Sequence, residues 1–207
     1  MSLPYDPDVA IKALVQADPP LERLIEQVGP FRLELRSVLS PFQALMRSIL
    51  FQQLSGKAAA TIERRVHALF PGDEPPDPEE ILATPEEALR GAGMSRAKVA
   101  AVKDLAAKAL NGIVPSHDHL TEMDNDEIIA RLTTVRGIGQ WTVEMLLIFH
   151  LGRPDVLPIT DLGVRKGFMI AYDLDDLPKP SELAQYGRRW QPYRSVASWY
   201  LWRANDL

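Results

Sequence analysis

The 207-residue sequence contains no cysteine. That absence excludes disulfides, thiolate zinc sites, a cysteine nucleophile and any iron–sulfur cluster held by cysteines, and it fits a reducing compartment. Excess positive charge is also lacking. Twenty-three Lys+Arg stand against 28 Asp+Glu, a formal net charge of −5, so the overall balance gives no sign of a polyanionic partner, and any nucleic-acid face has to be local. No window approaches the roughly 18 apolar residues of a membrane span, and the opening MSLPYDPDVAIKALVQADPP has no basic stretch leading into an apolar run. A cytoplasmic protein with no membrane partner is expected. Repeats of 20 to 50 residues, heptad arrays and low-complexity tails are absent, and strand-like alternation is confined to Phe31, Leu33 and Leu35.

What is present is helical periodicity. Apolar residues recur at helical spacing at Val9, Ala13, Leu14 and Ala17, at Leu21, Leu24, Ile25 and Val28, at Leu45, Met46, Ile49 and Leu50, and at Ile62, Val66, Leu69 and Phe70. Val99, Val102, Ala106 and Ala109 mark another helix, Ile128, Ile129 and Leu132 a short one, and Val143, Leu146, Leu147 and His150 the next. The breakers fall between these segments: Pro41, the PGDEPPDPEE stretch at 71–80, Gly91 to Gly93, Pro115, Gly137 and Gly139, Gly152 to Pro158, Pro178 and Pro180. Seventeen prolines suit many short helices with sharp stops, so the fold class is all-α. The acidic 71–80 stretch reads as a solvated loop. A chain of 23.1 kDa forms one compact unit or two small lobes and buries roughly two thirds to three quarters of its unfolded surface.

Three segments carry chemistry. Residues 132–147, LTTVRGIGQWTVEMLL, read as a helix end, a tight turn through Val135-Arg136-Gly137-Ile138-Gly139, and a new amphipathic helix. Glycines two apart let the backbone turn sharply and bare the first amide N–H groups of that helix, whose partial positive charge suits an anion such as a DNA phosphate. The same pattern also serves as a plain helix–turn–helix connection. In LPITDLGVRKG, Asp161 follows a short apolar segment and precedes a helix. It fits an N-cap, and a carboxylate held ionised there also fits a base or an electrostatic stabiliser of a cationic transition state. The carboxyl-terminal WQPYRSVASWYLWR places Trp190, Tyr193, Trp199, Tyr200 and Trp202 close together, mostly as packing, with Trp202 late enough to line a cleft. Basic residues are grouped at Arg64-Arg65, Arg165-Lys166 and Arg188-Arg189, with Arg194 and Arg203 beyond. A single pair marks a solvated face, whereas several converging on one cleft would bind phosphate.

Together with the helix SILFQQLSGKAA, the segments GIGQWT, LPITDLG and WQPYRSVASWYLW stand in the order found in the helix–hairpin–helix DNA glycosylases, and the chain resembles the 3-methyladenine DNA glycosylase II branch over about residues 40–204. The resemblance implies a two-lobed helical fold with the active site in a cleft between the lobes. One lobe would span about 41–150 and end in the helix–hairpin–helix, and the other would combine about 1–40 with 151–207 as part of a single catalytic unit. It implies an enzyme that flips a damaged base from double-stranded DNA and cuts its N-glycosidic bond. Asp161 matches the catalytic aspartate. Trp141, Met145 and Trp202 match base-pocket positions, and Gln53 with Leu54 the wedge that fills the space left by the flipped nucleotide. Gly137, Gly139, Gln140 and Thr142 match phosphate-binding positions, and the main-chain carbonyls of Thr133, Val135 and Ile138 match a monovalent-cation site for structural K+ or Na+.

Two negative features sharpen this subtype. Relatives with lyase activity carry a lysine just after the hairpin glycines, where an amine can attack C1′; that position is Trp141 here, so water should make the cut and leave an abasic site in an intact strand. The four-cysteine cluster loop of other branches has no residues to form it. The typical member of the branch also has an amino-terminal β-rich domain, for which the residues before Pro41 are too few and too helical, so a compact form is expected. Met145 stands where some relatives have an aromatic, which points to a wider pocket. An alkylated purine such as 3-methyladenine or 7-methylguanine carries ring charge and needs no protonation to leave, so no cofactor is required for the chemistry. The alternatives are a non-catalytic helix–hairpin–helix DNA-binding module, against which a carboxylate facing a DNA cleft argues, and a glycosylase for oxidised or deaminated bases, for which no proton donor is evident beside Asp161. A monomer is expected.

Overall fold

The computed structural model describes residues 3–35, 40–72 and 74–207. The first five helices begin where a short polar residue meets proline or glycine, because the cap side chain satisfies amides that the first helical turn cannot. Helices α1 (Pro7–Ala17) and α2 (Pro19–Val28) start behind Asp6 and Asp18, whose carboxylates accept from the first-turn amides. Helix α3 (Pro41–Phe51) starts at the Ser40/Gln43 capping box, α4 (Gly56–His67) behind Ser55, and α5 (Pro78–Ala83) at the Asp77/Glu80 box. Then come α6 (Glu86–Gly91), α7 (Arg96–Leu110), α8 (His117–Glu122), α9 (Asn125–Leu132) and α10 (Gln140–Phe149). Helices α11 (Leu162–Ala171), α12 (Pro180–Tyr186) and α13 (Arg194–Arg203) complete the order, with a 3-10 turn at Gly187–Trp190. All described regular structure is helical.

Two local expectations change. Residues 31–35 form no strand; Phe31 instead packs edge-on against Trp199, ring centroids 4.9 Å apart, and against Tyr200 at 6.0 Å. The alternation reflects a chain lying along one helix, without a partner strand. The acidic 71–80 stretch is a loop only in its first part, since the Asp77/Glu80 box opens α5 at Pro78. Asp73 lies outside the described residues.

The chain divides into two compact units, Met1–Arg36 with Leu147–Leu207, and Ser37–Leu146, the second boundary falling within α10. In the unit formed by Met1–Arg36 and Leu147–Leu207, α1, α2, α11 and α13 bury Leu14, Leu21, Val164, Phe168, Trp190, Val196, Tyr200 and Leu201 in one cluster. Tyr200 and Trp190 are core residues, as composition suggests. Asp18 is completely buried among them. In the other unit α7 runs through the middle, packed against α3 and α5, with Val99, Val102 and Leu105 buried beside Leu45, Ile49 and Ile81.

The α11–α13 contact depends on one glycine. A Cβ added at Gly167 would lie 1.7 Å from the Leu201 carbonyl oxygen, a backbone atom that cannot swing aside. Gly167→Ala should therefore force the two helices apart at a cost of about 3 kcal/mol. For a chain of this size that is a fall in Tm of about 6–12 °C. Calorimetry checks it, and an unchanged Tm would contradict so close an approach.

Candidate active site and nucleic-acid interface

The glycine turn is held down by its apolar residues and leaves its backbone outside. Val135 and Ile138 are buried, whereas Arg136, Gly137, Gly139 and Gln140 are exposed. Amides of Val135 and Ile138 donate to the carbonyls of Leu132 and Val135 at 3.0 and 3.1 Å. Gly137 has φ +79°, and a Cβ there would stand 3.3 Å from the Ala101 Cβ on α7, so glycine answers both to conformation and to space. Gly139 differs. Its φ is ordinary, and a Cβ would meet no protein atom within 4 Å.

Helix α7 fixes this turn through two side chains the sequence did not single out. Asp104 accepts from the Arg136 amide at 2.7 Å and pairs with Lys108 at 2.8 Å, while Lys108 also donates to the Thr134 carbonyl at 2.6 Å. Partial burial works to raise the Asp104 carboxyl, but the Arg136 amide and Lys108 outweigh it and hold the group below its usual range.

Of the four expected phosphate contacts, Gly137, Gly139 and Gln140 are exposed and Thr142 is not. The Thr142 amide donates to the Gly139 carbonyl at 3.0 Å, so it closes the first turn of α10 and is already spent inside the helix. The Gln140 side chain donates to Glu144 Oε1 at 2.9 Å, directed along the helix. Trp141, next in line, is 47% exposed, and Met145 is half-buried. The Val135 carbonyl accepts the Ile138 amide with one of its two lone pairs, which leaves room for a ligand bond.

The expected wedge sits on a constrained loop. After α3 ends, Gln52 is extended and Gln53 takes φ +57°, a left-handed conformation costly for a residue with a Cβ. Leu54 then projects with 39% exposure, and Ser55 caps α4 by accepting from the Ala58 amide. Three contacts brace this loop. Gln52 Nε2 donates to the Gly137 carbonyl at 2.8 Å, Lys98 Nζ donates to the Leu50 carbonyl at 2.5 Å, and Arg47 lies 4.0 Å over the Phe51 ring while pairing with Glu63 at 3.0 Å.

In the other unit, Asp161 and Trp202 are brought into direct contact. Asp161 Oδ1 accepts from the Val164 amide at 2.8 Å as the cap of α11, and from Trp202 Nε1, also at 2.8 Å. The cap role and the role of an oriented anion are thus both available to one carboxylate. The Trp202 ring stacks on Phe149, centroids 5.6 Å apart at 29°, so one indole face is covered. Gly163 makes the approach fit: a Cβ would stand 2.9 Å from Trp202 Cδ1 and 3.1 Å from Asp161 Oδ1. Asn205 ties α13 to the same turn by donating to the Gly163 carbonyl at 2.9 Å. Phe149, Gly163 and Asn205 were not visible as site residues in the sequence; the only signal was the glycine two after Asp161.

Several grouped basic residues turn out to be structural. Arg194 forms a two-pronged pair with Asp155 at 2.6 and 2.9 Å, Arg165 donates to the Pro178 carbonyl, and Arg189 lies 3.6 Å over the Tyr186 ring. Arg64 and Arg65 stand in the last turn of α4, where positive charge complements the helix dipole.

A sequence model of the HhH-GPD superfamily of base excision DNA repair proteins matches residues 46–192. A DNA-3-methyladenine glycosylase of Schizosaccharomyces pombe is 37% identical over 188 residues, covering 90% of this chain and 82% of that protein. The solved structure of a 3-methyladenine DNA glycosylase from the same yeast, in complex with abasic DNA, superposes with a TM-score of 0.85 at 35% identity, covering 96% of this chain and 97% of that one. A crystal structure of a DNA-3-methyladenine glycosidase from Bacillus halodurans gives 0.87 at 36%, over 94% of this chain and 88% of the other.

Proposed function

Because the chain belongs to the HhH-GPD superfamily of base excision DNA repair proteins, we propose that it is a monofunctional DNA glycosylase that hydrolyses the N-glycosidic bond of alkylated bases in duplex DNA. The observation that carries this reading is the Asp161 carboxylate, held on one oxygen by the Val164 amide and the Trp202 indole N–H. Two fixed donors hold the group in one orientation, which is what stabilising a developing cation requires.

The mechanism follows from the substrate's charge. A 3-methyladenine or 7-methylguanine base already carries positive charge, so departure needs no general acid. The sugar becomes oxocarbenium-like as the bond breaks, and the Asp161 carboxylate stabilises that cation and orients the attacking water. Electrostatic groups placed in this way contribute on the order of 10²- to 10³-fold each. Trp141 and Trp202 each carry an electron-rich indole face of the kind that favours a cationic base, a preference of about 0.5–2 kcal/mol per ring. Since the Trp202 indole also holds Asp161, base platform and carboxylate move as one piece. Leu54 fills the space left by the flipped nucleotide, with flipping itself costing a few kcal/mol. At position 141 the side chain has no amine, so no Schiff base forms and the strand stays whole after base loss.

Phosphate is held by the exposed backbone of Gly137, Gly139 and Gln140. The carbonyls of Thr133, Val135 and Ile138 fit a monovalent cation, which when bound supplies positive charge beside that phosphate. The protein acts as a monomer on double-stranded DNA and uses no cofactor for the chemistry.

Gly139 isolates the phosphate contact from the fold. Gly139→Ala adds a methyl group that no protein atom opposes, at a stability cost below about 1 kcal/mol before a helix start, yet it stands where the phosphate would approach. DNA affinity should fall about tenfold with little change in Tm. Fluorescence anisotropy on a lesion duplex measures the first, and unchanged affinity would move the phosphate contact elsewhere.

The test of the function itself is chromatography of bases freed from duplex DNA treated with a methylating agent. Release of 3-methyladenine and 7-methylguanine supports the reading. No release from DNA that the protein binds would favour a pure binding module.

A further inference from the structure

Two loops of the Ser37–Leu146 unit are given separate tasks above, phosphate capture at the hairpin and space-filling by Leu54. They are not mechanically separate. Gln52 Nε2 donates to the Gly137 carbonyl at 2.8 Å, and this single hydrogen bond spans 85 residues of sequence to join the base of the wedge loop to the tip of the phosphate turn. Behind it, both loops are pinned to the same helix. Lys98 on α7 holds the Leu50 carbonyl, where α3 ends, and Asp104 and Lys108, further along α7, hold the Arg136 amide and the Thr134 carbonyl. Burial lowers the Lys98 ammonium from its ordinary value.

The bond falls at an informative place. Gly137 carries the turn's left-handed φ of +79° and Gln53, next to Gln52, carries the wedge loop's φ of +57°. Gln53 therefore holds a conformation costly for a residue with a Cβ directly beside the shared hydrogen bond, and such backbone persists only where its surroundings fix it. Leu54 lies two residues from the joint. The Gln52 hydrogen bond is thus a direct route by which the position of the hairpin bears on that of the wedge loop.

We propose that Gln52 is a positioning residue that couples phosphate engagement by the hairpin to insertion of Leu54, so that base extrusion proceeds from a properly seated backbone. This rests on the glycosylase reading given above. Gln52 touches neither the base nor the sugar; it acts through Gly137 and Leu54.

The test uses the full chain in the Asp161→Asn background, so that extrusion is seen without chemistry, on a duplex carrying one alkylated base beside 2-aminopurine. Stopped-flow fluorescence reports extrusion. Gln52→Ala and Gln52→Glu, the latter keeping the length but losing the donor, should each slow extrusion about tenfold, the scale of one lost hydrogen bond. Affinity for undamaged duplex should stay within about threefold, because the phosphate donors are backbone groups. Leu54→Ala should slow extrusion too, and Gln52→Ala with Leu54→Ala together should be no slower than the worse single change. Gln52 is only half-buried, so both variants should keep the parent Tm, and a purely structural role would not produce non-additivity. Extrusion at the parent rate in both Gln52 variants, or effects that multiply in the double variant, would overturn the coupling and leave the glycosylase reading standing. No fluorescence change in the parent, with no base released by the unmodified protein, would overturn both.

Discussion

Asp161→Asn should abolish base release while leaving DNA binding and the fold in place. The asparagine oxygen can accept from both the Val164 amide and the Trp202 indole, which meet the same Oδ1 in the native protein. The α11 cap and the Trp202 position therefore survive, and the expected change in Tm is small. What is lost is the negative charge. A neutral amide cannot stabilise an oxocarbenium-like sugar or draw a proton from water, so single-turnover excision should fall on the order of 10³-fold or more. Binding to lesion DNA should be equal or tighter, because a carboxylate repels phosphate and the amide does not. Turnover near the native rate would remove Asp161 from the chemistry and leave it as a helix cap alone.

The largest effect on stability is expected at Asp18, far from the chemistry in sequence and in role. Its carboxylate is completely buried and accepts from Tyr172 Oη and Trp190 Nε1, both at 2.7 Å, from Tyr186 Oη at 3.4 Å and from the Leu21 amide that it caps. The rings that supply those donors pack on one another around Phe168, with Phe168 and Tyr172 stacked at 4.1 Å. Burial, and then the hydrogen bond to Asp18, drive the Tyr172 phenol far above its ordinary value, so it remains a donor at every working pH. Asp18→Ala leaves the buried Trp190 indole N–H without its acceptor and takes a partner from both tyrosines, at a cost of about 3–5 kcal/mol. That corresponds to a fall of about 6–20 °C in Tm. At low temperature each folded molecule should still excise at nearly the native rate, since Asp18 does not contact Asp161. A Tm within about 2 °C of the parent would show that these aromatic groups find other partners.

The comparison of Asp18 with Asp161 shows where the sequence is legible. Both are helix caps followed by apolar periodicity, and nothing local tells a cap that binds three distant ring donors from a cap that faces a substrate. What separated them was company: Asp161 sits between LPIT and LG in an order shared with a known family, while Asp18 is followed by two prolines and looks like punctuation. Most helices were legible for a related reason, because a 3.6-residue period and a proline or serine start are local signals. The short helices α5, α6, α8 and α12 were missed because six or seven residues hold too little period to read. The irregular 31–35 segment looked like a strand because packing on Trp199 and Tyr200 exposes alternate residues just as a sheet would.

The site was legible as residue types and only partly as contacts. Asp161 and Trp202 were named separately from their motifs, but their hydrogen bond depends on Gly163 and Gly167 admitting α13, which is a fact about residues 41 apart in sequence. Thr142 shows the reverse case. Its place after the glycines suggests a phosphate donor, yet the first turn of α10 takes that amide. The braces Gln52, Lys98, Asp104 and Lys108 act through backbone carbonyls and amides, and side-chain type alone does not reveal a backbone partner. The grouped arginines illustrate the same point, since Arg194 and Arg165 are engaged by Asp155 and the Pro178 carbonyl.

We propose that this protein breaks a glycosidic bond and nothing else. The most direct test is a time course on a duplex with a single 7-methylguanine, following free base and strand integrity in the same samples. Free base should appear in step with alkali-labile sites, with no strand break before alkali and no product from Asp161→Asn. Strand cleavage without alkali, or tight binding with no free base, would contradict it.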